Sequence, residues 1–502
     1  MYIRLKWDNI DTLYSLIIVA VTAFFLMESQ KAGNAYGVAL VYLVLSILFI
    51  LSCIKKLPIW VVSTITIAFC SFYGYVYNAP FEVGGRGFCG ATYWLHGAKN
   101  EIEGTTLYSA IDKDDVPDGI ADFSRFDING KALNASLMLR IPTTYSYYSI
   151  CNGNILNFLS EYAVSPAIKG SFIYQGLDNR QSLESLFSVD KYSIENSDGV
   201  MRNSYKYPMG IGYDTVISEE QIEKMSPIEK QTYLSRTLVV GNSDINVLQD
   251  SDIEISLHDE RDTFDVYELP ISYYLVGDIV FDKHKIETKA GSKMIFDFSG
   301  GTKELIPERG TLDEIYIVLL DFYSDEKKDI QVGNKSVRIM PKQEENYLGT
   351  YDRYINISSL SNSGRVEISF SDKGLFHCSG IKVMRVLDYD YEDNYNTLLD
   401  YSLKNAKISN DRVAGNTDFD KDVIMLFSIP YSEGWKAFID GSESKVFKVN
   451  KGLMAVVIPK GNHECEIKYF TPGLKAGLII SLGGLLLNFM VMIRIRLTVM
   501  HD

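Results

Sequence analysis

Four apolar stretches, 12–27, 36–54, 57–77 and 474–493, bracket a long polar middle in which no comparable stretch occurs. Crossing the hydrocarbon layer of a bilayer takes about 20 apolar residues, so this arrangement restricts the chain to few architectures. The first stretch is short and starts after Asp11, but no small-x-small cleavage site follows it and a second stretch comes almost at once, so it reads as a retained span rather than a signal peptide. Arg4 and Lys6, Lys55 and Lys56, and Arg494 and Arg496 then fall on one side of the membrane. The resulting expectation is a membrane α-helical anchor of three N-terminal spans and one C-terminal span, embedded in the lipid bilayer of the cell membrane. Both termini are cytoplasmic, 28–35 is a short outer loop, and residues 78–472 lie outside. Lys475 can snorkel from the edge of the last span, and Tyr73, Tyr75 and Tyr77 form an aromatic girdle, all of them anchors rather than sites.

The outer region carries most of the formal charge of −15, with acidic runs at 112–118 and 250–262. Nucleic acid is therefore a poor partner. Cys53 and Cys70 fall in spans, while Cys89, Cys151, Cys378 and Cys465 lie outside at irregular spacing with no CxxC pair, which favours buried free thiols over a disulfide framework. No nucleophile elbow, phosphate loop or HExxH pattern occurs, and the six histidines are dispersed. The run Asp112-Lys113-Asp114-Asp115-Val116-Pro117-Asp118-Gly119 lacks the spacing and the distant Glu of an EF-hand, so a solvated acidic loop is the better reading and no metal is expected.

Composition shifts divide the chain into an anchor (1–78), an extracytoplasmic α+β segment (79–245), a β-sandwich (246–400), a C-terminal β domain (401–472) and a terminal transmembrane helix with a cytoplasmic tail (473–502). Helical periodicity appears at 155–162, 182–187 and 219–235, the last with Ser218 as N-cap and Pro227 breaking it in two. Period-two alternation marks strands at 292–298, 315–322, 365–371 and 381–387, followed by a linker at 389–396 rich in Asp, Asn and Tyr. Beyond 403 the chain reads as hairpins. Asp440-Gly441 is a strong turn between 435–439 and 445–449, because both central positions of a type I′ turn need φ > 0. Asn450-Lys451-Gly452 and Pro459-Lys460-Gly461-Asn462 mark two more turns.

Ile429-Pro430-Tyr431-Ser432-Glu433-Gly434-Trp435-Lys436-Ala437-Phe438-Ile439-Asp440-Gly441, followed by Lys448-Val449-Asn450, Pro459-Lys460-Gly461-Asn462-His463, a strand and a terminal apolar stretch, resembles the C-terminal signature of YfhO-type bacterial membrane proteins. Further back, Phe123-Ser124-Arg125-Phe126, Tyr145-Ser146-Tyr147-Tyr148-Ser149, Gly176-Leu177-Asp178-Asn179-Arg180 with Leu183-Glu184-Ser185-Leu186, and Val189-Asp190-Lys191-Tyr192 fall in that family's order. The resemblance runs from about 122 to the C-terminus and covers the C-terminal portion of the family pattern. It implies an envelope protein similar to family C glycosyltransferases, which move a sugar from a polyprenyl-phosphate carrier to an acceptor outside the membrane, such as a teichoic-acid-type polymer. That donor is implied by the resemblance alone; the residues themselves call for no cofactor. Family members usually begin with a longer block of spans whose first outer loop holds the catalytic acid. This chain's first outer loop offers only Glu28, onto which that role is not carried, so no catalytic residue is assigned and enzyme activity is left open.

Several side chains are candidates for saccharide or lipid-linked sugar binding. Arg125, Asn179 and Arg180 sit in the family-like motifs and could present fork donors to a phosphate or sugar, although structural pairing with the many carboxylates is the commoner role. Tyr145, Tyr147 and Tyr148 resemble a saccharide-facing strip, or equally a packing surface. Trp435 offers a flat face to a pyranose, yet a Trp alternating with Phe438 and Ile439 is more often a core anchor. Two functions follow. The chain is the acceptor- or carrier-side part of a glycosyltransferase whose catalytic block is supplied by a separate multi-span subunit or lost from this gene, or it is a non-catalytic membrane-anchored saccharide-binding or scaffolding protein.

Overall fold

The computed structural model describes residues 123–128, 142–148, 152–164, 172–193, 200–249, 256–257, 264–302, 308–342, 350–409 and 411–501. The chain divides into two compact units, 1–104 and 105–502, and every described residue belongs to the second. The three N-terminal apolar stretches, the loop at 28–35, the acidic run at 112–119, Cys89 and Cys151 lie outside the described residues.

Two segments, 423–428 and 453–458, are apolar at nearly every position instead of alternate ones, which is what a strand covered on both faces requires. Strands Val423–Pro430 and Leu453–Ile458 pair antiparallel from Val423↔Ile458 to Phe427↔Met454. They lie within a seven-stranded sheet whose order is Gly210–Tyr213, Val423–Pro430, Leu453–Ile458, Val446–Val449, Leu238–Val240, Thr215–Ser218 and Ser256–Leu257. On one face, Ile424, Leu426, Ala455 and Val457 pack with Phe158 and Leu159 of helix Gly153–Glu161 and with Leu183 and Leu186 of helix Gln181–Leu186. On the other, Val423, Met425, Phe427, Met454, Val456 and Ile458 pack with Val413, Ala437, Cys465 and Ile467. Those four come from a five-stranded sheet ordered Lys404–Ile408, Arg412–Phe419, Gly461–Tyr469, Trp435–Ile439 and Ser442–Ser444. Helices, seven-stranded sheet and five-stranded sheet thus form three layers. Full burial of each large aliphatic side chain contributes about 1.5–3 kcal/mol relative to exposure.

The region from 264 to 388 builds a separate core. A four-stranded sheet (Phe264–Leu269, Gly380–Asp388, Leu312–Leu320, Arg353–Asn356) and a five-stranded one (Ser272–Val276, Ser292–Asp297, Arg365–Phe370, Lys328–Val332, Lys335–Ile339) both contribute to it. Ile315, Ile317, Leu319 and Val383 come from the first and Met294, Phe296, Ile368 and Phe370 from the second. A small sheet (Ile279–Asp282, Lys285–Thr288, Gly374–His377, Tyr323–Ser324) adds Ile286 and Phe376 to the same core. Strand Ser292–Asp297 shows the expected alternation, with Ser292, Met294 and Phe296 buried and the residues between them half-buried.

Local signals translate well. The expected helix at 219–235 splits into Glu219–Ile222 and Pro227–Thr232, with capping boxes Ser218/Gln221 and Ser226/Glu229 and Pro227 in the first turn, where its missing N–H costs nothing. Asp440 and Gly441 take φ of 50° and 79°, as a type I′ turn needs. Cys378 and Cys465 are buried free thiols, pushed up by burial to about 11 and about 12.

Three expectations are corrected. The supposed linker at 389–396 is part of helix Tyr391–Asp400, whose Tyr391 and Leu398, seven residues apart on one face, are buried. That burial outweighs a polar composition that by itself reads as loop. The strand after Asp440-Gly441 does not pair back along its length: Ser442–Ser444 pairs with Ala437–Ile439, and Val446–Val449 then joins the other sheet. Finally, the four-span helical membrane anchor is not supported, because among the described residues no helix is long and apolar enough to cross a membrane. The C-terminal stretch does form helix Leu474–His501, with Ile479, Ile480 and Leu485 exposed.

Candidate functional site

The motif Gly176-Leu177-Asp178-Asn179-Arg180 bends sharply, with Gly176, Asp178 and Asn179 at φ of 82°, 62° and 55°. Gly, Asp and Asn are the residues that tolerate the left-handed region best. The bend drives Arg180 into the seam between the first core and the sheets of 264–388, where it is 0% exposed. Its Nη1 donates to Tyr162 O at 2.6 Å and its Nη2 to Ala163 O at 3.2 Å and to Tyr354 O, while the guanidinium lies 5.4 Å from the Tyr316 ring centroid. Asp178 takes hydrogen bonds from Lys335 Nζ at 2.6 Å and from Asn356 N at 2.8 Å, and Asn179 O takes one from Asn356 Nδ2 at 2.8 Å. One residue on, Gln181 N donates to Glu314 Oε1 at 2.8 Å. The motif is a latch across the seam, and the Arg180 fork is engaged by the protein's own carbonyls.

Arg125 is also held internally. Its Nη1 donates to Phe187 O at 2.7 Å and to Ser428 Oγ at 2.9 Å, and its Nη2 to Ser428 O at 2.8 Å. The guanidinium sits 4.7 Å and 5.7 Å from the centroids of Phe123 and Phe187. Burial lowers its pKa to about 10, which still leaves it charged at neutral pH. The next turn of the signature is gripped as well: Asn152 Nδ2 and Asn154 Nδ2 both donate to Tyr431 O, at 2.8 and 2.9 Å. Trp435 is partly buried against the core of the C-terminal sheets, its ring 5.0 Å from that of Tyr469. Tyr145, Tyr147 and Tyr148 lie on strand Tyr145–Tyr148, paired antiparallel with Phe172–Gln175. Arg180 and Asn179 therefore act together at the seam, whereas Arg125 and Trp435 belong to other junctions of the body.

Sequence reasoning passed over three carboxyl groups at this seam. Asp127, Glu184 and Glu314 are 2%, 1% and 3% exposed. Asp127 takes hydrogen bonds from Thr144 Oγ1 and Leu177 N, and Glu314 from Tyr316 OH at 2.6 Å and Gln231 Nε2 at 3.2 Å. Neither oxygen of Glu184 meets the distance and angle of a hydrogen bond. The available signal was a charge inside an apolar helix, in Leu183-Glu184-Ser185-Leu186. Burial, then the neighbouring Asp127 carboxylate, and next Asp178 and Glu314, hold the Glu184 carboxyl well above the usual carboxylate range. Burial also raises Glu314, against the opposing pull of Tyr316, Gln181 and Arg180.

A raised carboxyl makes stability fall with rising pH. The native state keeps a proton that the unfolded chain releases above the ordinary value of 4.5, so the contribution is complete below that value and is lost toward the higher native one. Glu184→Gln, neutral at every pH, should therefore lose this pH dependence, so that its stability relative to the unaltered protein is higher at pH 8 than at pH 5. Urea unfolding of both proteins at the two pH values checks this; an equal loss of stability at both would show that Glu184 is charged and needed as a carboxylate.

As described, the seam is closed, and it positions parts of the body rather than presenting a reactive group. Among the described residues no group of His, Cys, Asp and Glu is arranged to hold a metal ion. Comparison with known proteins adds a family: the model described as Bacterial membrane protein YfhO matches residues 3–481. The chain is 21% identical over 389 residues to the uncharacterized protein YfhO of Bacillus subtilis (strain 168), covering 72% of this chain and 42% of that protein. It thus spans less than half the length of this curated relative. Among solved structures, the arabinofuranosyltransferase AftD from Mycobacteria aligns over 35% of this chain and 21% of its own at 8% identity, with a TM-score of 0.12, too low to carry an argument.

Proposed function

Because the chain belongs to the YfhO family of bacterial membrane proteins, we propose that it works in the cell envelope as the acceptor- or carrier-positioning part of a polyprenyl-phosphate-sugar-dependent glycosyltransferase. In this reading residues 78–472 face the outside, a saccharide or lipid-linked sugar is held there, and a separate multi-span subunit supplies the catalytic block. The observation that supports it is the ordered match over 3–481. The motifs carrying the resemblance, Gly176 to Arg180 and Ile429 to Trp435, brace one body, which suits a part that holds rather than reacts.

The test is a pull-down of the tagged protein from its own membranes, with the co-purified material assayed for transfer of labelled sugar from polyprenyl-phosphate donors. Transfer that depends on a co-purifying multi-span partner is the expected result. An inactive chain that purifies alone and still retains envelope polysaccharide would overturn the transferase role and leave a saccharide-binding scaffold. Outer-face placement has its own check. Ser442, exposed beside the Asp440-Gly441 turn, when replaced by Cys should react with a membrane-impermeant maleimide in intact cells, and labelling only after lysis would reverse the orientation.

A further inference from the structure

Two turns meet at one end of the C-terminal five-stranded sheet, and a single histidine stands between them. Strand Gly461–Tyr469 leaves the turn at 459–461, and its His463 lies opposite Thr417 of strand Arg412–Phe419. On the other side is the Asp440-Gly441 turn, which follows strand Trp435–Ile439. The His463 ring is gripped at both nitrogens: Nδ1 is 2.6 Å from Asp440 Oδ2 and Nε2 is 3.2 Å from Lys460 O. Both of these partners are themselves held. Asp440 Oδ1 accepts from Glu464 N at 2.9 Å and Asp440 N donates to Glu464 O at 2.9 Å, while Lys460 N donates to Asp422 Oδ1 at 2.5 Å. The ring thus links three bends of the chain, at 420–422, 440–441 and 459–461.

This pairing sets the proton count. A carboxylate and a carbonyl only accept, whereas a neutral imidazole has one N–H to give. Neutral His463 therefore satisfies Asp440 or Lys460 but not both, and the imidazolium satisfies the two at once. The surroundings act in the same direction. The 440–441 turn brings the Asp440 carboxylate, strand Arg412–Phe419 brings the uncharged Thr417, and exposed Lys460 meets the ring through its carbonyl. Glu464 and, in the opposite strand, Asp418 are one position away in register, on the other face of the sheet. The hydrogen bond to Asp440, helped by the Lys460 carbonyl and opposed by partial burial, holds the imidazole above its ordinary 6.5. The same contact, with the Glu464 amide, holds the Asp440 carboxyl below its ordinary 3.8. A raised base contributes stability in full below its unfolded value and loses it as pH rises through the higher native one; a lowered acid contributes above its unfolded value and loses it as pH falls. The contact is therefore complete between 3.8 and 6.5 and fades as pH rises past 6.5.

From this geometry we infer that His463 is a pH-operated clamp, which locks the hairpin of Trp435–Ile439 and Ser442–Ser444 to the start of strand Gly461–Tyr469 while its ring is charged and loosens it when the ring gives up its proton. The inference goes beyond the envelope role proposed above and does not depend on it. The test is hydrogen–deuterium exchange of the full chain, purified in detergent, at pH 6 and pH 8.5, with labelling times scaled to the intrinsic exchange rate at each pH. Strand Leu453–Ile458, buried at all six positions, is the reference. Peptides covering 436–444 and 461–466 should lose about two- to fivefold in protection at the higher pH, the scale of a partly exposed charge pair, and the reference strand should not. His463→Gln, which carries no charge at either pH, should show the same protection at both. So should Asp440→Asn, which tolerates the same positive φ and removes only the charge. In carbon-13 spectra of the histidine-labelled protein, the signal that His463→Gln removes should titrate above 6.5 and move down in Asp440→Asn. Equal protection at both pH values in the unaltered protein, a pH effect that survives in His463→Gln, a loss shared by the reference strand, or a His463 signal titrating at or below 6.5 overturns the inference. If Asp440→Asn does not fold, His463→Gln and the titration of the unaltered protein decide it.

Discussion

Replacing Gly452 with alanine should destabilise the protein by about 3 kcal/mol or more, a loss confined to a short list of mechanisms of which overpacking against backbone is one. A Cβ at this position would stand 2.0 Å from Asn154 O, 2.8 Å from Asn154 C and 3.0 Å from Phe158 Cβ. The first two are backbone atoms of helix Gly153–Glu161 and cannot rotate away. Nor can the helix retreat freely. Asn152 and Asn154 tie its start to Tyr431 O, while Gly452 O accepts from Tyr431 N at 2.9 Å. Phe158, 0% exposed, is at the centre of the first core. Gly441→Ala is the matched control, since it has φ of +79° but nothing within 4 Å of an added Cβ, and should lose only about 1 kcal/mol to backbone strain. Chemical denaturation followed by intrinsic fluorescence separates them. A Gly452→Ala protein as stable as the control would mean that the helix does not dock on this turn.

The second large effect is expected at Arg180. Methionine there keeps the length of the side chain but leaves the carbonyls of Tyr162, Ala163 and Tyr354 without their donor and strips Asp178 and Glu314 of a cation. Removing one member of a buried charged arrangement typically costs about 3–5 kcal/mol. Arg180→Lys should recover only part of this, because one ammonium cannot match three carbonyls set around a planar fork. Hydrogen exchange gives the specific signature. The amides of Asn356 and Gln181, which cross the seam to Asp178 and Glu314, should lose protection in the Met variant before those of the central strand Leu453–Ile458. If all amides lose protection together, the seam has no separate stability.

These two residues also show how far the sequence could be read. Turns, caps and strands were legible because each is governed by neighbours along the chain: Asp440-Gly441 demanded positive φ, Pro227 interrupted a helix, and 292–298 alternated. The environment of Arg180 was not legible. Its strongest contacts are to backbone carbonyls, which every residue has, and one of them lies 174 positions away. Arg125 reaches Ser428 across 303 positions. A motif marks such residues as special without saying whether they face a ligand or the interior. Trp435 fell on the interior side for the reason its apolar neighbours had suggested, and Tyr391 shows that burial can make a helix from a segment whose composition reads as loop.

The seven-stranded sheet interleaves strands from two distant parts of the chain, Gly210–Tyr213 with Val423–Pro430 and Leu238–Val240 with Val446–Val449. About two hundred residues must therefore be made before the earlier strands find their partners, and contacts so distant in sequence are slow to close. During synthesis the apolar face of helix Gly153–Glu161 has no sheet to cover it until residue 458 has emerged. A nascent chain in that state exposes unpaired strand edges and is prone to aggregate. The protein thus depends on whatever holds it during synthesis for as long as its second half takes to arrive, and a ribosome stalled before residue 423 would release a fragment whose Gly210–Tyr213 strand and Gly153–Glu161 helix lack the strands they pack on.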